Sequence, residues 1–304
     1  MNGLLAMITN ALSIDVEEYY HGMEFEAAVP AEQREQLPSR VEVSVERVLM
    51  LLRTHNVHAT FFTVGKVAAA HPHLVKRISS EGHEIACHSY QHELVFRQTP
   101  DEFRADIRRA KATLEDLSGK PVIGYRAPNY SIHPEQAWAY DILLQEGFRY
   151  DSSIYPIVHD RYGSPEAPRF PYEIRENENG KLVEVPIGTI RLLGVNLPIG
   201  GGGYFRLLPV ALFRYSIQQV NLTEKQPVMF YFHPWELDPD HPRPPMPWHH
   251  RFRHYVGLRR EEAKLARLFQ QVRFSSVQDI FFSAGSEKGE IRTVENSHDA
   301  SSQI

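Results

Sequence analysis

One cysteine among 304 residues, Cys87, cannot form an intrachain disulfide, so the fold must rest on its core without covalent staples. Beside His88 a thiolate ligand is conceivable, but a small buried strand residue is the expectation for Cys87. Long apolar runs are missing too: none approaches the roughly 20 residues that span a bilayer. There is no excess of positive charge, since 33 Lys and Arg face 38 Asp and Glu for a net charge of -5, which removes any general attraction for nucleic acid. The opening MNGLLAMITNALSIDVEEYY lacks a basic region, and Thr9 and Asn10 break its apolar stretch before Asp15. No secretory signal is therefore expected, and a cytoplasmic location is. Internal repeats are absent as well.

What is present is alternation. Apolar runs of strand type lie at 11–16, 58–64, 84–88, 122–126, 182–187, 228–233 and 274–277, and helical periodicity lies at 41–54, 67–80, 100–117, 134–146, 209–220 and 260–271. Strands alternating with helices predict a mostly parallel α/β sheet. Pro100, Asp101 and Glu102 start one helix with favourable N-terminal chemistry, and Ser118-Gly119 ends it. Residues 284–304 are polar and aperiodic and read as a flexible tail.

In parallel sheets and barrels, chemistry gathers where strands end, because side chains there face one mouth. The first strand runs into Asp15-Val16-Glu17, the third into His88-Ser89-Tyr90-Gln91-His92, the fourth into Arg126-Ala127-Pro128, and the sixth into His233-Pro234-Trp235-Glu236. A histidine pair alone is weak: 16 histidines placed at random give roughly 0.8 pairs four apart. The second such pair, His250 and His254, follows prolines, has no neighbouring acid and reads as surface loop. His88 and His92 instead close a strand that reads as buried, with an acid cluster at the end of another.

EIACHSYQHE at 84–93 resembles the histidine motif of the NodB-homology polysaccharide deacetylases (carbohydrate esterase family four type), and SIDVEEYY at 13–20 resembles a variant of their first acidic motif. GYRAPNYSI at 124–132 is similar to their arginine-proline motif and MFYFHPWE at 229–236 to their last histidine motif. The acid spacing, the FHPWE run and GGGYFR are most similar to the exopolysaccharide- and exosortase-associated members. The resemblance implies a distorted (β/α) barrel of about seven parallel strands over 1–283, including a C-terminal extension from about 200. It implies Asp15 as base, Glu17, His88 and His92 as metal ligands, Arg126 as the orienter of Asp15, and His233 as acid. The metal implied is zinc, with cobalt, iron or nickel as alternatives. Here Val16 separates the two acids, the ligand acid is glutamate, and Asn129 follows Pro128 where tyrosine is frequent.

These residue types suit amide hydrolysis, which needs an activated water, a stabilised oxyanion and a proton for the leaving amine. Backbone N–H groups after Pro128, at Asn129 and Tyr130, are candidates for the oxyanion. Asp151 and Glu184 are candidate carboxylates to tune His233, and Glu236 is a further supporting residue of the site. Gly200 to Gly203 with Tyr204 and Phe205 reads as a flexible loop whose aromatics stack on a sugar, with Trp235 a further contact. It is no phosphate-binding loop, because the lysine and Ser/Thr are missing. The basic, aromatic stretch 242–260 suits an anionic polymer, a lipid-linked sugar or a membrane surface. The expected reaction removes acetyl groups from N-acetylhexosamine units of a glycan, in exopolysaccharide assembly. An allantoinase-like small-amide hydrolase and a non-catalytic glycan-binding protein are the alternatives.

Overall fold

A computed structural model describes residues 8–34 and 36–282. The tail expected at 284–304 lies outside them. Eleven strands are formed: β1 (Asn10–Val16), β2 (Thr60–Thr63), β3 (Glu84–Cys87), β4 (Gly124–Tyr125), β5 (Tyr150–Asp151), β6 (Tyr172–Asn177), β7 (Gly180–Glu184), β8 (Thr189–Leu192), β9 (Val195–Pro198), β10 (Met229–Phe232) and β11 (Phe274–Ser275). The main sheet runs β10-β1-β2-β3-β4-β5-β7-β6, with β11 also beside β1 and only β6 antiparallel. With β11 the described sheet has eight parallel strands against about seven expected, β5 being the one without a counterpart in the sequence reading. Past Glu184 the chain turns toward β10. There Gly188 N–H donates to Met229 O (2.9 Å) and Tyr231 N–H to Gly200 O (2.7 Å), so backbone bonds bridge what would be an open edge.

Both faces of the sheet are covered, as a parallel sheet requires. The outer core packs strand residues such as Leu12, Ile14, Phe61 and Phe230 against helices Val41–His55, Pro100–Ser118 and Leu258–Phe269. Ala11, Phe62, Ala86, Met229 and Tyr231, on the opposite strand faces, meet Tyr150, Tyr155 and Val277 in a second cluster. Cys87 is buried in β3, as expected of a small strand residue. The helix 100–118 starts with Pro100 at its first position and a reciprocal capping box between Thr99 and Glu102, and ends on left-handed Gly119.

Several expectations are corrected. The helix read over 67–80 is two, Gly65–Ala70 and Pro72–Ser80, because Pro72 has no N–H to continue the first and starts the second. The stretch at 200–203 is no flexible loop. Gly201 pairs with Tyr231, and Gly202 opens a helix to Leu207 that buries Phe205 fully in the core. Phe205 is therefore unavailable to a sugar. Gly201 has φ 109, and a Cβ there would penetrate the Tyr231 carbonyl. Gly201→Ala is expected to cost about 3 kcal/mol, lowering Tm by roughly 5 °C or more in thermal unfolding. The His250/His254 pair lies on a helix, Trp248–Tyr255, with His254 buried, so it is not surface loop. Among the described residues no helix is long and apolar enough to cross a membrane.

Candidate active site

Parallel pairing places the ends of β1, β3, β4 and β10 around one cleft of about 330 Å³. Side chains alternate along an extended chain, so Asp15 and Glu17 share one side while Glu18 turns away. Glu18 is bonded to Ser39 and accepts the Arg40 N–H (3.0 Å), ahead of helix 41–55.

His88 follows β3 directly. Ser89 and His92 both take left-handed φ near 60°, and Ser89 Oγ accepts the His92 N–H (2.8 Å), which curls the chain back. Asp106, from helix 100–118, accepts the next two N–H groups of the turn, Tyr90 (2.6 Å) and Gln91 (3.0 Å). The imidazoles of His88 and His92 end 5.2 Å apart, centre to centre. Glu17 Oε2 lies 2.6 Å from His92 Nε2 and 3.8 Å from His88 Nε2. These three residues form the metal-holding group found among the described residues.

The donor atoms fit a cation. His88 Nδ1 sits 2.8 Å from Arg126 O, a carbonyl that can only accept, so Nδ1 carries the hydrogen and Nε2 offers a lone pair. Buried His92 Nε2 has no hydrogen-bond partner, although Glu17 is beside it. Burial pushes His88 down to about 4, which keeps it neutral. Burial acts to raise the Glu17 carboxyl, but His92 first, then His233 and His88, hold it well below the usual range. Trp235 Nε1–H donates to its other oxygen (3.3 Å). His21, not anticipated from sequence, stacks on His92 at 4.8 Å.

Arg126 is fully buried and gives Nη1–H to Asp15 Oδ1 (2.6 Å), Nε–H to Ser152 O (3.0 Å) and Nη2–H to Ser152 Oγ (2.8 Å). Its guanidinium lies over the Phe62 ring, 4.1 Å from the centroid. One oxygen of Asp15 is thus committed, and the other lies 3.9 Å from His233 Nε2. Glu236 Oε1 is 2.7 Å from His233 Nδ1 and accepts the His233 backbone N–H (3.0 Å). Burial opposes charge on His233, but Glu236, Glu17 and Asp15 push it up to about 9. The buried Arg206 pairs with Glu236 (2.8 Å) behind it.

Three expected roles are corrected. Asp151 and Glu184 are not brought to His233: they face each other across β5 and β7 in the sheet interior, where burial pushes both carboxyls up. The carboxylate that meets the imidazole is Glu236, which the sequence reading places only as a supporting residue. Trp235 lines the cleft, as expected, but its ring is already stacked with His233 (5.3 Å) and His254 (4.4 Å), which limits the surface it offers to a sugar. The Tyr130 N–H is already given to Ala127 O (3.2 Å), and Pro128 is buried, which leaves Asn129 and the Tyr130 ring lining the cleft. Tyr204 does line it. So do Phe252 and Arg253 of the basic, aromatic stretch 242–260, and Met23, Tyr162 and Leu207, which sequence reading missed because they arrive from elements without motifs.

Residues 37–143 match the family model described as polysaccharide deacetylase, and residues 152–282 match a domain of unknown function, DUF3473. A peptidoglycan-N-acetylglucosamine deacetylase of Bacillus cereus is 38% identical over 94 residues, 31% of this chain and 34% of that protein. A peptidoglycan deacetylase of Helicobacter pylori is 30% identical over 113 residues, 37% of this chain and 38% of that protein. The matches thus span little more than a third of these relatives. Among solved structures, a polysaccharide deacetylase from Mycobacterium smegmatis superposes with TM-score 0.58 at 20% identity, covering 91% of this chain and 93% of the other. This likeness is one of fold.

Proposed function

Because the chain carries a polysaccharide deacetylase domain with a DUF3473 domain behind it, we propose that it hydrolyses the N-acetyl group of N-acetylhexosamine units in a glycan or lipid-linked oligosaccharide, releasing acetate, in exopolysaccharide biosynthesis. The observation that carries this reading is the Glu17, His88 and His92 cluster beside an Arg126-held Asp15 and a Glu236-held His233. Glu17, His88 and His92 would hold a divalent ion, zinc by default with cobalt, iron or nickel as alternatives. Such an ion, when bound, supplies Lewis acidity and makes water easier to deprotonate.

The residues divide the remaining work. The water oxygen bonds to the acetyl carbon while Asp15 takes a water proton through its uncommitted oxygen. Arg126 keeps that carboxylate aimed by holding its other oxygen. As the carbon–nitrogen bond breaks, His233 gives its proton to the nitrogen, leaving acetate and a free amine. Tyr162, Tyr204 and Phe252 widen the cleft with aromatic surface that suits a sugar ring better than a small cyclic amide. A site for binding alone needs no paired acid and base, which favours turnover.

The direct test is acetate release from N-acetylglucosamine oligomers after chelation and after restoring single metals. Activity should vanish with the metal and return with one of them; activity surviving complete demetallation contradicts the mechanism. His233 must be protonated to act, so activity is lost as pH rises through its pKa. Glu236→Gln removes the carboxylate that raises that pKa and should move the alkaline limb of kcat/KM to lower pH by about one unit or more. An unmoved limb would remove His233 from the acid role.

A further inference from the structure

Exposed apolar surface is unevenly distributed. Among the described residues, eleven of fifteen exposed large hydrophobic side chains fall between 192 and 252. The most exposed is Leu193, 96% accessible at the tip of the β8–β9 hairpin. Leu193 and Gly194 both have positive φ, 50° and 83°, and such tight turns normally place Asn or Gly where this leucine stands. A leucine that bears left-handed strain to project into solvent breaks a local rule, and such breaks mark function.

The elements that carry these apolar residues are tied to one another. Arg169 Nη2–H donates to Thr189 O (2.7 Å), at the hairpin base, and the guanidinium pairs with Glu224 (2.6 Å). That joins the hairpin to the end of the helical run 210–224, whose exposed Leu212, Tyr215 and Leu222 share one side. At the other end of that run Leu207 lines the cleft together with Phe252. Trp248, 79% exposed, lies one turn before Phe252 on the same helix.

Charge decides the occupant. Residues 191–260 carry nine Lys and Arg against four Asp and Glu, in a chain of net charge -5. Of these, seven cations are exposed but only one acid, Asp240. Arg253 is partly offset by Glu24 and Asp160, but a second copy docking through a two-fold axis would still bring the remaining cations of this segment toward their own copies. An anionic bilayer instead accepts both the apolar tips and the cations. We infer that the face built from the β8–β9 hairpin, the 207–222 segment and the 248–260 segment docks onto an anionic lipid bilayer, with the cleft mouth at its rim. This inference does not depend on the amide-hydrolase reading.

Co-sedimentation of the full chain with phosphatidylcholine vesicles, with and without phosphatidylglycerol, tests it. The protein should pellet with the anionic vesicles and stay in solution with the zwitterionic ones, and added salt should weaken binding. Leu193→Asn with Trp248→Ser should lower partitioning at least tenfold without changing acetate release, and Arg251→Ser about fivefold. Brominated lipid should quench the exposed Trp248 of the unmodified protein, a readout independent of how the variants fold. Failure to pellet with anionic vesicles, equal partitioning of the double variant, or absence of quenching would overturn the inference. So would a dimer in sedimentation velocity that the double variant converts to monomer, which would assign the face to a second copy.

Discussion

Asp15→Asn should reduce acetate release by about 10²–10⁴-fold, roughly 3–5 kcal/mol of barrier, while the protein retains its metal. The amide can still accept from Arg126 Nη1 but can no longer take a proton. Arg126 keeps its two bonds to Ser152, so the guanidinium is not orphaned by the change. Losing a charged partner in a buried pair nevertheless has a cost, and a Tm several degrees lower is expected. Substrate affinity should change little, because the role lies in proton transfer, so the loss should appear in kcat. Metal analysis of the same preparation separates two assignments: retention makes Asp15 the base, whereas loss would exchange the roles of Asp15 and Glu17.

Glu17→Gln and His88→Ala should each empty the metal site. The expected fall in affinity exceeds the 10–100-fold that loss of a mere supporting partner produces. Both variants should be inactive at ordinary metal concentrations, and Glu17→Gln should recover part of its activity as metal is added. Folding should survive in Glu17→Gln, since its amide oxygen can still accept the Trp235 N–H. His88→Ala opens a void beside Arg126 O and should be the less stable of the two. Calorimetric metal titration with a parallel activity assay checks both. Unchanged affinity in either variant would place the ion elsewhere.

Much of this site was legible because its working residues stand where apolar strands end, and parallel pairing does the rest. Asp15, His88, Arg126 and His233 are far apart in sequence and each follows or closes such a run. The supporting layer was hidden. Arg206 meets Glu236 only because Gly201 lets the chain pass against β10, and Asp106 meets the His88–His92 turn only through packing of helix 100–118. His254 read as surface because prolines precede it, yet tertiary packing stacks it on Trp235.

The fold divides along the same line. Helices 41–55 and 100–118 carry enough turns for periodicity to show, and the second has its own caps. β5 is two residues long and holds its place through neighbours on both sides, so no periodic signal could reveal it. The β8–β9 hairpin was missed because its turn has leucine in place of the usual Asn, and its outer residues are apolar where solvent-facing strands are polar.

A crystal structure of metal-loaded protein, with anomalous diffraction recorded on both sides of the metal's absorption edge, tests the central claim most directly. The account predicts one peak about 2.0–2.3 Å from Glu17 Oε2 and from the Nε2 atoms of His88 and His92, with Asp15 still held by Arg126. A peak on other residues, or none at a metal concentration that supports full activity, would contradict it.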